Sequence, residues 1–182
     1  MTAAVALVGV LVVVGIAGTF AAGAKSSTTR LWFVADGPVC QALPDECPAI
    51  AMADNGDTLT IQAGGQLNPS DGTASGSGTF IHKDADGNVL ATGSFTAVSL
   101  VFFKSYGTTV IGGNTLEGGL TLIKVHGTAE GGVQFDAVLR VDCLLGSPPA
   151  GADEGFRMVV QTFDLNFNKE VHGATVFVPV SG

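Results

Sequence analysis

Alternating apolar and polar residues dominate the chain after residue 58. Residues 133–143 show this pattern most clearly, because only Val138 interrupts the polar side. A period of two is typical of a strand with one buried face. We therefore predict a strand here, with an inner face made of Val133, Phe135, Ala137, Leu139, Val141 and Cys143.

The segment before this strand alternates in the same way, and the two are predicted to form a hairpin. The intervening residues 128–132 end in two glycines, which accept the positive φ angles of tight turns. Pairing around this turn puts Val125 opposite Phe135 on the inner face. The same register puts Lys124 opposite Asp136 on the outer face. In this register apolar residues face each other on one side and opposite charges face each other on the other side. A slip of one residue would turn every side chain to the wrong side.

A second hairpin is predicted from residues 76–83 and 88–98. The connecting residues 84–87 read Asp-Ala-Asp-Gly, which is typical of a tight turn. Pairing the two segments around this turn brings Phe80 against Ala91 on the core face.

Residues 99–103 continue the second hairpin and are apolar on both sides of the strand. Such a run is typical of a strand that is buried on both faces, and we expect that burial here. The last apolar stretch, residues 174–182, is expected either to complete the same sheet or to pair with a neighbouring subunit. Further strands are predicted at residues 30–35, 58–63, 108–111, 156–167 and 171–180.

No segment after Lys25 has a convincing helical period. Many short strands separated by turns predict an all-β fold with about eight to ten strands. The expected architecture is a single antiparallel β-sandwich of jelly-roll type or a β-barrel. The choice depends on whether the sheet closes on itself, which the strand pattern leaves open.

The amino-terminal segment indicates export. Residues 3–24 carry no charge and end in Ala-Gly-Ala before Lys25, a pattern that signal peptidase recognises. The run approaches the roughly 20 residues that span a bilayer as a helix, and no basic residue precedes it. Retention as a membrane anchor, or as the apolar helix of a pilin-like filament, therefore stays open.

These observations predict three regions and an extracellular or cell-surface location. Residues 1–24 form a signal peptide or an apolar helix. Residues 25–57 contain a linker, the first strand and an arm with two cysteines. Residues 58–182 form the antiparallel β domain, onto which residues 30–57 pack.

Composition narrows the choice of partners. The formal net charge is −8, charged residues make up only 13% of the chain, and glycine occurs 26 times. The eight Lys and Arg residues are scattered, so we expect no nucleic-acid partner. An acidic surface disfavours anionic lipid, so membrane contact is expected only if the amino-terminal segment is retained.

Three cysteines suit one disulfide in an oxidising compartment. A local bridge between Cys40 and Cys47 would close a short polar loop. We favour a bridge from Cys143 to Cys47 or Cys40, because it would tie the amino-terminal arm to a core strand. The sequence leaves the pairing open, and an unpaired buried Cys143 is the alternative.

Candidate metal ligands are few. Asp84, Asp86 and Asn88 resemble the start of a calcium loop, but the bidentate carboxylate that completes such a loop is missing. A hairpin turn is the favoured interpretation. The three histidines share no metal-ligand spacing. No nucleophile elbow or phosphate-binding glycine loop is present in the sequence, so we expect neither an enzyme nor a cofactor; a hydrolase with dispersed carboxylates is the minor alternative.

Residues 47–57 and 86–93 resemble segments of exported microbial β proteins that carry no assigned activity. The resemblance implies a secreted β domain and transfers no functional residue. We expect a structural or surface subunit that associates with itself into a filament, matrix or envelope. The alternative is a secreted binding module for a small apolar ligand or a carbohydrate, with Trp32 and Tyr106 as stacking candidates.

Overall fold

A computed structural model describes residues 29–180 and confirms an all-β, antiparallel fold. The predicted signal peptide or apolar helix, residues 1–24, lies outside the described residues. Eleven strands form one hydrogen-bonded sheet. They are β1 (Arg30–Val34), β2 (Ala49–Met52), β3 (Thr58–Asn68), β4 (Thr73–Lys83), β5 (Val89–Ile111), β6 (Asn114–Ala129), β7 (Gln134–Cys143), β8 (Gly155–Val160), β9 (Leu165–Phe167), β10 (Lys169–His172) and β11 (Thr175–Pro179).

Six of these strands pair in a complete circuit, in the order β1, β3, β4, β5, β6 and β11, with β11 returning to β1. The carboxy-terminal strand β11 therefore pairs within its own chain. The other strands flank this circuit. β2 and β10 extend from the first half of β3, while β7, β8 and β9 extend from the second half of β6.

The core follows the predicted alternation. Phe135 is buried and Asp136 beside it is exposed, and the same contrast continues along β7 as far as Val141. Asp142, which was predicted on the outer face, is buried. Val133, which was predicted on the inner face, lies in the turn and is exposed. The largest side chains that are fully buried come from several strands of the sheet, and include Trp32, Phe95, Ile123, Leu139, Phe156 and Phe177.

The hairpin of β6 and β7 is confirmed, but its register differs from the prediction by two residues. Val125 lies opposite Ala137, and Phe135 lies opposite Gly127. The aromatic ring of Phe135 covers the position where Gly127 has no side chain. A shift of two residues preserves both faces, which is why the inner face from Phe135 to Cys143 was predicted correctly while the pairs were not.

The hairpin of β4 and β5 shows the same kind of shift. Phe80 lies opposite Gly93 rather than Ala91, although it faces the core as predicted. Leu90 has no partner on β4, because the register shifts between His82 and the next residue. This bulge moves the later pairs along the strand.

Two further predictions are wrong. The region 99–103 is not buried on both faces, since Val101 and Phe102 are exposed. The disulfide joins Cys40 to Cys47, with Cα atoms 5.8 Å apart, and Cys143 is free and buried.

The disulfide closes a short loop between Cys40 and Cys47, within the segment that precedes β2. A short helix, α1 (Pro38–Ala42), and a 3-10 turn at Pro44–Glu46 bring the two sulfur atoms together. Cys143 lies at the end of β7 on the inner face, where burial raises the pKa of its thiol to about 12. Within residues 29–180 no helix is both long enough and apolar enough to cross a membrane.

Candidate functional site

The two predicted stacking residues do not form a binding platform. Trp32 is completely buried, and its indole Nε1 donates a hydrogen bond to the carbonyl oxygen of Ser75 at 3.2 Å. Tyr106 is also buried, and its hydroxyl donates to Oδ1 of Asp142 at 3.1 Å. Burial raises the pKa of Tyr106 to about 12, so the phenol stays protonated. Both rings are structural, and this prediction was wrong.

The Asp84 segment forms a hairpin turn, as the favoured interpretation held. Oδ1 of Asp84 accepts backbone N–H bonds from Asp86 and Asn88, and Oδ2 accepts the Asn88 side-chain amide at 2.9 Å. These hydrogen bonds, with that of the Asn88 side chain first, hold the pKa of Asp84 below its usual value. In residues 29–180 no cluster of three or more His, Cys, Asp or Glu side chains is arranged to hold a metal ion.

The three histidines each lie near a different carboxylate. Nε2 of His82 is 3.1 Å from Asp57, and its ring packs edge-on against Phe167. Nδ1 of His126 is 2.8 Å from Asp136 across the β6–β7 pair. The third, on β10, is 3.8 Å from a glutamate of the arm. They do not converge on one site.

Buried carboxylates are fully engaged by the protein. Both oxygens of Glu117 accept hydrogen bonds from the guanidinium of Arg30, at 2.7 and 3.2 Å. That guanidinium also stacks 4.6 Å above the ring of Phe103. The ion pair therefore joins β1 to β6 at the level where β11 completes the circuit.

Asp142 and Glu154 are held in the same way. Asp142 accepts from Tyr106 and, at 2.7 Å, from Arg140. Glu154 accepts from the backbone N–H of Leu144 and from both the N–H and the hydroxyl of Thr175. Each oxygen of these carboxylates therefore accepts at least one hydrogen bond from the protein.

One apolar cavity lies between the ends of the strands that form the two hairpins. Its volume is about 70 Å³, whereas about 150 Å³ accommodates a benzene-sized molecule. The His82 imidazole is its one ionisable lining group, and the exposed ring of Phe163 lies at its edge. The other lining residues are Leu59, Phe80, Ala91, Ala129, Phe135, Met158, Val160, Leu165 and Phe167.

Strand β5 exposes an unusually large number of apolar side chains for one strand. Half of the large apolar side chains that are exposed in residues 29–180 lie on this one strand. We call the part beyond β4 the β5 apolar surface, which comprises Val98, Val101, Phe102, Val110 and Ile111. Apolar side chains left exposed along one strand make that strand a candidate interaction site.

The backbone of β5 is also incompletely paired. β4 pairs with β5 only as far as Thr96, whereas β6 pairs with β5 as far as Ile111. The outer edge of the later half receives two backbone hydrogen bonds from described residues: Leu100 N–H to Gly72, and Ser147 N–H to the Tyr106 carbonyl. An edge strand of this kind is a template for another chain.

Sequence reasoning missed this surface because apolarity on both sides of a strand predicts two covered faces. The signal that was present is the low charge of β5, which carries only Lys104 in 23 residues. In a chain of net charge −8, such a segment is suited to contact with another molecule. Comparison with protein families, curated proteins and solved structures gives no match to this chain.

Proposed function

We propose that this protein is an exported structural or surface subunit that works by associating with copies of itself and catalyses no reaction. The observation that carries this proposal is the β5 apolar surface, with its partly unpaired edge. Buried polar groups elsewhere in the described region join strands to each other. We therefore assign the function to the exposed strand β5, which can pair with another chain, rather than to a pocket that binds a substrate.

The compartment is part of the proposal. The Cys40–Cys47 disulfide is consistent with an oxidising, extracellular setting. Intact mass and amino-terminal sequencing of protein from its source test the export signal. A mature chain that starts at Lys25 supports secretion and removes both the membrane anchor and the pilin-like helix. A chain that retains residues 1–24 favours one of those two arrangements.

Sedimentation velocity of the purified protein over a wide range of concentration tests self-association directly. We expect species larger than the monomer to grow with concentration, and electron microscopy to show polymers or sheets. A protein that remains monomeric at all concentrations would contradict the proposal.

A second candidate function has one observation in its favour. The apolar cavity near Phe163, between strands β3 to β6 and the flanking strands β7 to β9, suits a very small apolar ligand. The cavity is far smaller than the 300–1,000 Å³ or so of typical ligand sites. NMR titration with dissolved xenon, a smaller apolar probe than benzene, tests it: shifts confined to methyl groups around Met158 would support the site, and the absence of any shift there would contradict it.

A further inference from the structure

The end of the β5–β6 hairpin differs from the rest of the sheet. We call residues 108–116 the hairpin tip. Within it the two strands pair with each other, from Thr109 opposite Leu116 to Ile111 opposite Asn114. β11 meets β6 only at Glu117, and β7 begins to pair with β6 at Gly119. Both outer edges of the tip therefore lack a strand partner among the described residues.

Two free edges on a short hairpin are unfavourable when the hairpin stands alone. A two-stranded ribbon is marginally stable in water, and its outward N–H and C=O groups can pair with another strand. The side chains add to this, because Val110 is 68% exposed and Ile111 is 49% exposed. The tip thus has both the backbone and the apolar groups that strand addition uses.

The earlier part of β5 is protected, and the protection ends where the tip begins. Three bulges interrupt the β5–β6 register, the last of them at Tyr106. Lys104 adds a charge near that bulge. Bulges and lysines are the devices that keep edge strands from pairing with other chains. From Gly107 onward the register is regular, and residues 105–116 carry no charge.

We propose that the hairpin tip is the contact between copies of this protein, and this inference rests on the proposed self-association. The β5 edge of one tip pairs with the β6 edge of the tip on the next copy. The two strands of a hairpin run in opposite directions, so copies related by simple translation meet as antiparallel neighbours.

The strand that pairs with each free edge of the tip belongs to a second copy of the protein, for reasons of charge and geometry. Two molecules of net charge −8 repel each other over most of their surface, but the uncharged tips meet without bringing carboxylates together. The proposed contact joins the β5 edge of one tip to the β6 edge of the next, so it is head-to-tail. A head-to-tail contact that does not close into a ring produces an open assembly, as a filament or matrix requires.

A charge-insertion experiment tests the location of the contact. Lysine on an edge strand opposes pairing with another chain, so the double variant Val110→Lys/Ile111→Lys should remain monomeric at concentrations where the full-length wild type assembles. The matched control is Val159→Lys/Val171→Lys, since those side chains are 42% and 50% exposed on β8 and β10. It should assemble like the wild type.

The two double variants carry the same added charge, so a difference between them reports position rather than net charge. Thermal unfolding of each variant checks that the fold persists. If the wild type assembles and the tip variant assembles equally well, the tip is wrong while self-association stands. If the wild type itself never assembles, the proposed function fails.

Cysteine cross-linking tests the head-to-tail geometry. In the wild type, Cys143 is buried and the other two cysteines form a disulfide, so new surface thiols are the reactive ones. A mixture of Val110→Cys and Thr115→Cys proteins should form cross-linked dimers of unlike chains faster than either protein alone. Val171→Cys gives the rate of random collisions. Rapid cross-linking of Val110→Cys with itself would indicate a two-fold contact and overturn the head-to-tail arrangement.

Discussion

The partly buried carboxyl group of Glu154 shows how single residues act in this fold. It lies in the loop before β8 and accepts hydrogen bonds from Leu144 and Thr175, which belong to separate segments. Burial is the main cause that raises the pKa of Glu154, and the hydrogen bonds only partly offset it. Glu170, on β10, has its pKa raised by burial as well.

The raised pKa of Glu154 makes stability depend on pH. The folded state favours the protonated acid, so its contribution is complete below the ordinary pKa of 4.5 and is lost as the pH rises through the raised value. We expect the free energy of unfolding, measured with urea, to decrease over that range. The decrease should be smaller in Glu154→Gln, which retains only the contribution of Glu170. An identical pH profile in the variant would contradict this origin.

Single residues also explain the disulfide. Cys40 and Cys47 are brought together by the turn between them, and the pairing is local. Cys143 packs within the core beside Thr175 and is free. Loop-closure entropy favours a bridge to Cys143, but the short turn between Cys40 and Cys47 brings those two sulfur atoms together instead.

At the scale of elements, the β6–β7 hairpin shows what fixes a register. Alternation determines which side of each strand is buried, but it is satisfied equally by registers that differ by two. The observed register places the ring of Phe135 over Gly127, a contact in which an aromatic side chain covers a glycine on the neighbouring strand. A hydrogen bond from the N–H of Ala129 to the carbonyl of Val133 closes the turn of this hairpin.

Substitution of Gly127 tests this contact. A Cβ atom at this position would overlap the ring of Phe135, so Gly127→Ala should lower the free energy of unfolding by about 1–3 kcal/mol. The exposed neighbour Thr128→Ala is the control and should change stability by no more than about 0.5 kcal/mol. Urea denaturation of both variants provides the measurement. Equal stability of the two would mean that the ring does not set the register.

At the scale of the whole molecule, the net charge opposes the association that the β5 apolar surface favours. Charges of the same sign repel, and salt screens that repulsion over about 10 Å at 0.1 M. Contacts made by uncharged side chains and backbone groups are screened much less. The balance between the two therefore depends on ionic strength.

We expect self-association to strengthen when sodium chloride is added, because repulsion between copies of net charge −8 is reduced. Sedimentation at low and moderate salt, at one protein concentration, measures the effect. The monomeric tip variant should show little response under the same conditions. Association that weakens with salt would instead indicate ion pairs at the contact and would exclude the uncharged tip.

The sequence predicted the all-β class, both hairpins with their turns, and the buried face of β7 from Phe135 to Cys143, because each depends on residues close together in the chain. It did not predict β2, the full length of β5, or the break between β8 and β9. The Asp84 turn and the contrast between Phe135 and Asp136 are examples. The tertiary structure alone decided the circuit of six strands, the hairpin registers and the partner of each cysteine. It also left β5 uncovered beyond β4, because burial of a strand depends on how far its neighbours extend. That extent is set by pairings between distant segments, which local alternation does not encode.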